Sequence, residues 1–215
     1  MVHFVGAGSG GKDLITVRGA KLLSQADVII YAGSLVNPEL LEDAKPGAQL
    51  HNSANMTLEQ VIQVMKHAEE KGLMTVRLHT GDSSIYGAVR EQFDVLDALG
   101  IPYEVCPGVS SFCGAAAALK AEYTLPGVSQ TVIISRMSGR TLVPEKENLA
   151  SLARHQASMV LFLSAGLLEG TQQELLKGGY PPDTPAAIVY KATWPDEQVH
   201  HCTVSTLAQT AKEQG

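Results

Sequence analysis

Short apolar runs that alternate with amphipathic stretches are the feature that most restricts how the first half of this chain can fold. Val2-His3-Phe4-Val5, Val28-Ile29-Ile30-Tyr31, Met74 to His79 and Tyr103 to Cys106 read as strands. Between them, Leu58 to Glu70 carries Leu58, Val61, Ile62, Val64, Met65 and Ala68 at helical spacing, which suits a helix with one buried face. Strands joined by helices imply a parallel sheet, because a parallel neighbour is reached only through a long crossover. Further helices are predicted from Thr16 as N-cap to about Ser24, from Tyr86 to Leu99 with Gly100 as its stop, and from Phe112 to Ala121 with Ser110 or Ser111 as cap.

After this the texture changes. Thr131 to Ser135 is extended and runs into a polar loop with Arg136, Arg140 and Pro144. Met159 to Leu163 reads as a buried strand, Leu167 to Lys177 as a helix, and Ala186 to Tyr190 and Gln198 to Val204 as strands. Pro181-Pro182 and Trp194-Pro195 mark turns, and Ser205 caps a last helix to about Glu213. The expected fold class is therefore α/β, with two α/β lobes and a cleft between them. The lobes divide as residues 1–115 and 116–215.

Composition narrows the class of partner. With 215 residues, 45% of them hydrophobic and 18% charged, the chain is a globular protein rather than a disordered one. A net charge of −6 argues against nucleic acid or a membrane surface as partner, since both select for clustered Lys and Arg. Any anionic ligand must be met by local cations. Cys106, Cys113 and Cys202 are too far apart for a thiolate metal site, and the expected compartment is the cytoplasm. On a strand His200 and His201 point to opposite faces, so no metal is expected there.

"VGAGSGG", Val5 to Gly11, matches G-x-G-x-x-G at Gly6, Gly8 and Gly11. A dinucleotide site also needs a helix that opens at the loop and an acid at the end of the second strand. The predicted helix begins only after Thr16, and the second strand ends in Tyr31-Ala32-Gly33-Ser34, with Asp27 lying before it. An NAD-dependent oxidoreductase thus rests on the glycines alone. "HTGDSSIYG", His79 to Gly87, follows a strand at the end where open α/β sheets bind ligands. Asp82 either accepts hydrogen bonds at such a site or simply caps a helix that starts near Ser84-Ile85.

Together these segments resemble the tetrapyrrole methylases, S-adenosylmethionine-dependent enzymes of corrin and siroheme synthesis. The resemblance lies in Val5-Gly6-Ala7-Gly8 with Asp13-Leu14-Ile15-Thr16, in Ala26 to Tyr31, in Thr80-Gly81-Asp82 and in Pro107-Gly108-Val109-Ser110. "YAGSLV", "GDSSIYGAVREQ", "PGVSSFCGAAAALKAEYTLPGVSQT" and "YKATWPDE" are similar to the branch that methylates carbon 11 of precorrin-4 or cobalt-precorrin-4 in cobalamin synthesis. Ser9 and Ser83 depart from the prolines or small residues usual there, which implies a different loop rigidity. Family chains commonly continue past the last helix with a further apolar strand, so the second lobe is expected to be truncated.

The resemblance implies a cofactor site made by Ser9, Gly81, Asp82, Ile85, Ser110, Ser111, Leu163 and Ala192, with Gly8, Arg136 and Arg140 toward the substrate's carboxylates. Leu163 is equally well read as ordinary core, and Trp194 and Tyr86 either face the macrocycle or anchor the core. No catalytic base is named, because methyl transfer from a sulfonium is an in-line displacement that needs positioning above all. The resemblance further implies a homodimer and a tetrapyrrole substrate. A related ring position, or a tetrapyrrole-binding protein without turnover, stays open at this point.

Overall fold

The computed structural model describes residues 1–214. Contacts group Met1–Ala115 and Lys191–Asp196 into one compact unit, and Ala116–Tyr190 with the segment from Glu197 onward into a second. The division falls inside a helix, and the short excursion at 191–196 belongs with the first unit rather than with the residues around it.

In the first unit the order is β1 (Val2–Gly6), α1 (Val17–Gln25), β2 (Val28–Tyr31), β3 (Gln49–Asn52), α2 (Leu58–Glu70), β4 (Thr75–His79), α3 (Arg90–Leu99), β5 (Tyr103–Cys106) and the start of α4 (Ser111–Leu119). The five strands form one sheet in the order β3-β2-β4-β1-β5, and every pairing is parallel. Along β1 the register sets Val2 opposite Thr75 and Gly6 opposite His79, so the loops after β1 and β4 emerge side by side.

Alternation divides the strands between two cores. Phe4, Ile30 and Val28 face α2 and α3, whereas Val5, Ile29, Val76 and Leu78 face α1. Both faces are covered, which is why β1 and β4 are buried throughout. The chain therefore leaves β1 and β4 toward opposite faces of the sheet. Phe4 anchors one core, edge-on to Phe93 at 4.7 Å and to Tyr103 at 5.9 Å.

Most predicted elements are present within a residue or two. Thr16 caps α1 by accepting from the Gly19 amide, and Thr57 and Gln60 close a reciprocal capping box on α2. Three readings need correction. The helix expected from Tyr86 begins only at Arg90, because Tyr86 and Ala88 take left-handed φ values of 55° and 48° that a helix cannot contain. The alanine-rich helix stops at Leu119, before Lys120 at φ 52°. Strand β3 has no counterpart among the expected elements, since Gln-Leu-His-Asn is an exposed edge without an apolar run.

The second unit contains the end of α4, then β6 (Val132–Arg136), α5 (Leu149–Ala153), β7 (Ser158–Phe162), α6 (Leu168–Lys177), β8 (Pro185–Tyr190), β9 (Gln198–Thr203) and α7 (Leu207–Gln214). Strands β6 and β7 pair in parallel, and β8 and β9 antiparallel. Its core is smaller, built on Leu149, Ala153, Leu175 and Val204. Leu163 falls just past β7 with φ 52° and is 69% exposed, which removes the core alternative for it.

Replacing Phe4 with alanine should lower the unfolding free energy by about 3–5 kcal/mol, as for other buried aromatics. Urea unfolding followed by circular dichroism checks this, and a loss under about 1 kcal/mol would remove Phe4 from the centre of its core.

Candidate active site

The carboxyl ends of β1, β4 and β5 bring three glycines into contact. A side-chain carbon on Gly6 would lie 2.5 Å from the Gly108 Cα and 2.6 Å from the Gly81 carbonyl oxygen, distances that only glycine permits here. The first loop and the Thr80-Gly81-Asp82 loop are also tied through their backbones, with the Gly81 amide donating to Gly8 at 2.9 Å and the Gly8 amide to Gly81 at 3.3 Å. Gly81, at φ 59°, abuts the start of α4, where its missing Cβ would meet the Ser111 nitrogen at 3.3 Å. Sequence-predicted Gly8, Ser9, Gly81, Asp82, Ser110 and Ser111 are thus brought together in the first unit.

Asp82 holds the third loop in place. Its Oδ2 accepts from the Gly108 amide at 2.7 Å, while Oδ1 accepts from the Ser84 amide at 2.9 Å and from the Ser84 hydroxyl. Burial pushes this carboxyl up, but the Ser84 and Gly108 hydrogen bonds outweigh it and leave it below its ordinary value. It does not cap a helix, because α3 starts eight residues later, at Arg90. Asp82 is a clamp between loops, and Ile85 closes the same turn by donating its amide to the Asp82 carbonyl.

The glycine loop is wrapped from elements the sequence reading did not connect with it. Thr193 accepts from the Gly11 amide at 3.0 Å and lies 3.2 Å from the Ser9 hydroxyl. Asn37 is buried and donates to the Gly10 carbonyl at 3.0 Å. Trp194 packs against Gly10, with the Lys191 ammonium 5.2 Å from its ring centre, so its role is to wall the loop. Ala192, buried in the same turn, joins this group. The only local sign for Asn37 was its place before Pro38, and Thr193 gave none. The Gly8 amide pairs within the protein, so it is not an open donor for a substrate carboxylate.

Asp27, the one carboxylate near β2, accepts from the Met74 amide at 2.8 Å and from Lys45 at 2.5 Å. These bonds tie the start of β2 to the segments before β3 and β4. Ser110 is buried, and its hydroxyl makes no hydrogen bond with another described residue; small residues and an open hydroxyl beside close-packed backbone suit a ligand with polar groups. His79, immediately before the Thr-Gly-Asp turn, is buried and stacked on Phe4, with its Nε2 unpartnered. Burial, aided by nearby Arg77, lowers its pKa from 6.5 to about 3, so it is neutral near pH 7.

Leu163, Arg136 and Arg140 belong to the second unit. Arg136 donates to the carbonyls of Thr141 and Leu142 at 2.9 and 3.2 Å, which makes it a brace for its own loop rather than an open fork. Arg140 is exposed and has no hydrogen bond or ion pair among the described residues. No described helix is long and apolar enough to cross a membrane.

Comparison with known proteins agrees with the loops. The sequence profile of the Tetrapyrrole (Corrin/Porphyrin) Methylases matches residues 1–208. The cobalt-precorrin-4 C(11)-methyltransferase of Methanocaldococcus jannaschii is 53% identical over 214 residues, covering 100% of this chain and 83% of that protein. The X-ray structure of a cobalt precorrin-4 methyltransferase superposes with a TM-score of 0.97 at 46% identity, covering 100% of this chain and 90% of that one. A uroporphyrin-III C-methyl transferase from Thermus thermophilus, solved with S-adenosyl homocysteine, gives a TM-score of 0.82 at 27% identity, covering 98% and 86%.

Two outcomes follow for the clamp and the histidine. Asp82→Ala should cost about 1–2 kcal/mol, the scale of a part-exposed hydrogen bond to a charged group, with Asp82→Asn in between; urea midpoints measure it, and equal stability in all three chains would deny the clamp. His79 contributes stability in full above pH 6.5, since below it the unfolded chain binds a proton that the fold refuses until about pH 3. Stability should therefore fall between these limits, and His79→Gln should flatten that part of the profile.

Proposed function

The chain belongs to the tetrapyrrole (corrin/porphyrin) methylases, and from that membership we propose that it transfers the methyl group of S-adenosylmethionine to carbon 11 of precorrin-4 or cobalt-precorrin-4 in cobalamin synthesis. The identity with the archaeal carbon-11 enzyme carries this reading, because it runs over every loop described above. The fold agrees with it: small residues and tied backbone crowd the strand ends.

S-adenosylmethionine, when bound, supplies an electrophilic methyl on sulfur, and the protein's task is to fix donor and acceptor in line and to keep water away. The Gly81–Asp82 turn and the Ser110–Ser111 start of α4 hold the cofactor, with the Ser110 hydroxyl as an open hydrogen-bonding group. Asp82 acts by keeping the Gly108 turn against Gly6 and Gly81. Ser9, Ile85 and Ala192 give small or apolar surface from the same unit, and Leu163, exposed on the second unit, gives apolar surface to the adenine.

Arg140 meets a substrate carboxylate, since guanidinium pairs with carboxylate in a two-pronged fork. Arg136 supports it by bracing the 137–143 loop. Gly8 borders the substrate through its close-packed backbone rather than through its amide. The reading includes two lobes divided near residue 115 and a homodimer working in the cytoplasm. It assigns no metal to the protein and no general base.

Titration calorimetry with S-adenosylmethionine should give one site per chain, and incubation with precorrin-4 should yield a product heavier by one methyl at carbon 11. Binding of NADH without binding of S-adenosylmethionine would overturn the reading, as would macrocycle binding without methyl turnover.

A further inference from the structure

Arg77 lies in the middle of β4 and is 7% exposed, yet none of the ion pairs among the described residues involves it. Its Nε donates to the Gln92 side chain and its Nη1 to the Ile30 carbonyl, both at 3.2 Å. Gln92 is itself fixed by donating to the Ala88 carbonyl at 2.9 Å. Both partners are neutral, and Nη2 has no hydrogen bond among the described residues. A buried guanidinium without an anion is costly, because removal from water is not offset by an opposite charge; burial alone draws its pKa down to about 10, so it stays charged near pH 7.

The same side chain lines a cavity of about 250 Å³ with Ser53, Thr57, Leu58, Glu91 and Gln92. The amino end of α2 is also here, capped by Thr57, and adds positive potential. Ser53 and Thr57 already engage the protein, through the Tyr31 carbonyl and the Gln60 amide. The guanidinium is thus the charged donor of the cavity. Glu91 is exposed and sets one negative charge in the lining.

We propose that this cavity is a carboxylate-binding site, with the Arg77 guanidinium receiving a short monocarboxylate group beside the apolar wall of Leu58. The volume suits a group the size of propionate and excludes a macrocycle. Glu91 selects against a doubly charged phosphate while leaving a single charge tolerable. The carboxylate is either a free anion or an arm of a larger molecule, and the site is distinct from the glycine-lined loops, in which Arg77 takes no part.

The test is a titration of the full chain at pH 7 with sodium propionate, sodium chloride at matched ionic strength and inorganic phosphate, reading by NMR the Arg77 Nε–H signal in the unaltered chain and the backbone amide signals of Leu58 and Gln92 in every chain. Propionate should give a saturable shift and phosphate one about tenfold weaker; chloride should give none. Arg77→Lys should weaken propionate binding about tenfold by losing the fork, and Glu91→Gln should tighten it about threefold by removing a like charge. Competition by a dicarboxylate porphyrin but not by its dimethyl ester assigns the carboxylate to an arm of the larger molecule, whereas propionate binding without porphyrin competition assigns it to a free anion. No saturable shift with propionate, or unchanged affinity in both variants, overturns the site. None of these readings uses S-adenosylmethionine, so failure of methyl transfer would leave them standing.

Discussion

The contact among Gly6, Gly81 and Gly108 is the constraint on which the rest of the site depends. Three consecutive strands of the sheet, β4, β1 and β5, end at nearly the same height, and their loops meet backbone to backbone with no room for a side chain. The pair of hydrogen bonds between Gly8 and Gly81 and the Asp82 bond to the Gly108 amide turn this contact into a connected layer. Because Gly81 also abuts the start of α4, the position of that helix follows from the same packing. A shift in any one loop has to move the other two.

The turn at 191–196 extends this layer from far along the chain. It brings Thr193 to Gly11 and Ser9, and Trp194 to Gly10, so the glycine loop is set by side chains more than 180 residues away in sequence. Asn37 completes the enclosure from the segment after β2. A flexible loop would have to lose conformational freedom on meeting a ligand; this one is held by the fold beforehand, which suits a reaction that depends on alignment.

The interior of the first unit handles two of its buried bases, His79 and Arg77, differently. His79 escapes the cost of burial by staying neutral, stacked on Phe4. Arg77, two residues earlier on the same face of β4, cannot do so, because even a lowered pKa of about 10 leaves it charged. Its neutral partners Gln92 and Ile30 satisfy geometry but not charge. Asp27 makes the contrast plain: it is a carboxylate near the same sheet, and Lys45 meets it directly.

Periodicity and punctuation in the sequence determined the parallel sheet, the helices around it and the loops at its carboxyl end, since strand alternation, Thr16 as a cap and Gly100 as a stop act within a few residues. The motif Thr80-Gly81-Asp82 pointed to a loop that the fold ties to the glycine loop, and the late start of α1 turned the three glycines away from a dinucleotide reading. Tertiary structure alone decided what Asp82 binds, where Thr193 and Asn37 go, that Arg136 turns back on its own loop and that Leu163 lies exposed. It also decided the break at Tyr86 and Ala88, where a helical pattern yields to a left-handed turn. These depend on which distant backbone groups come within hydrogen-bonding range, and such distances are set by the packing of strands and loops rather than by spacing along the chain.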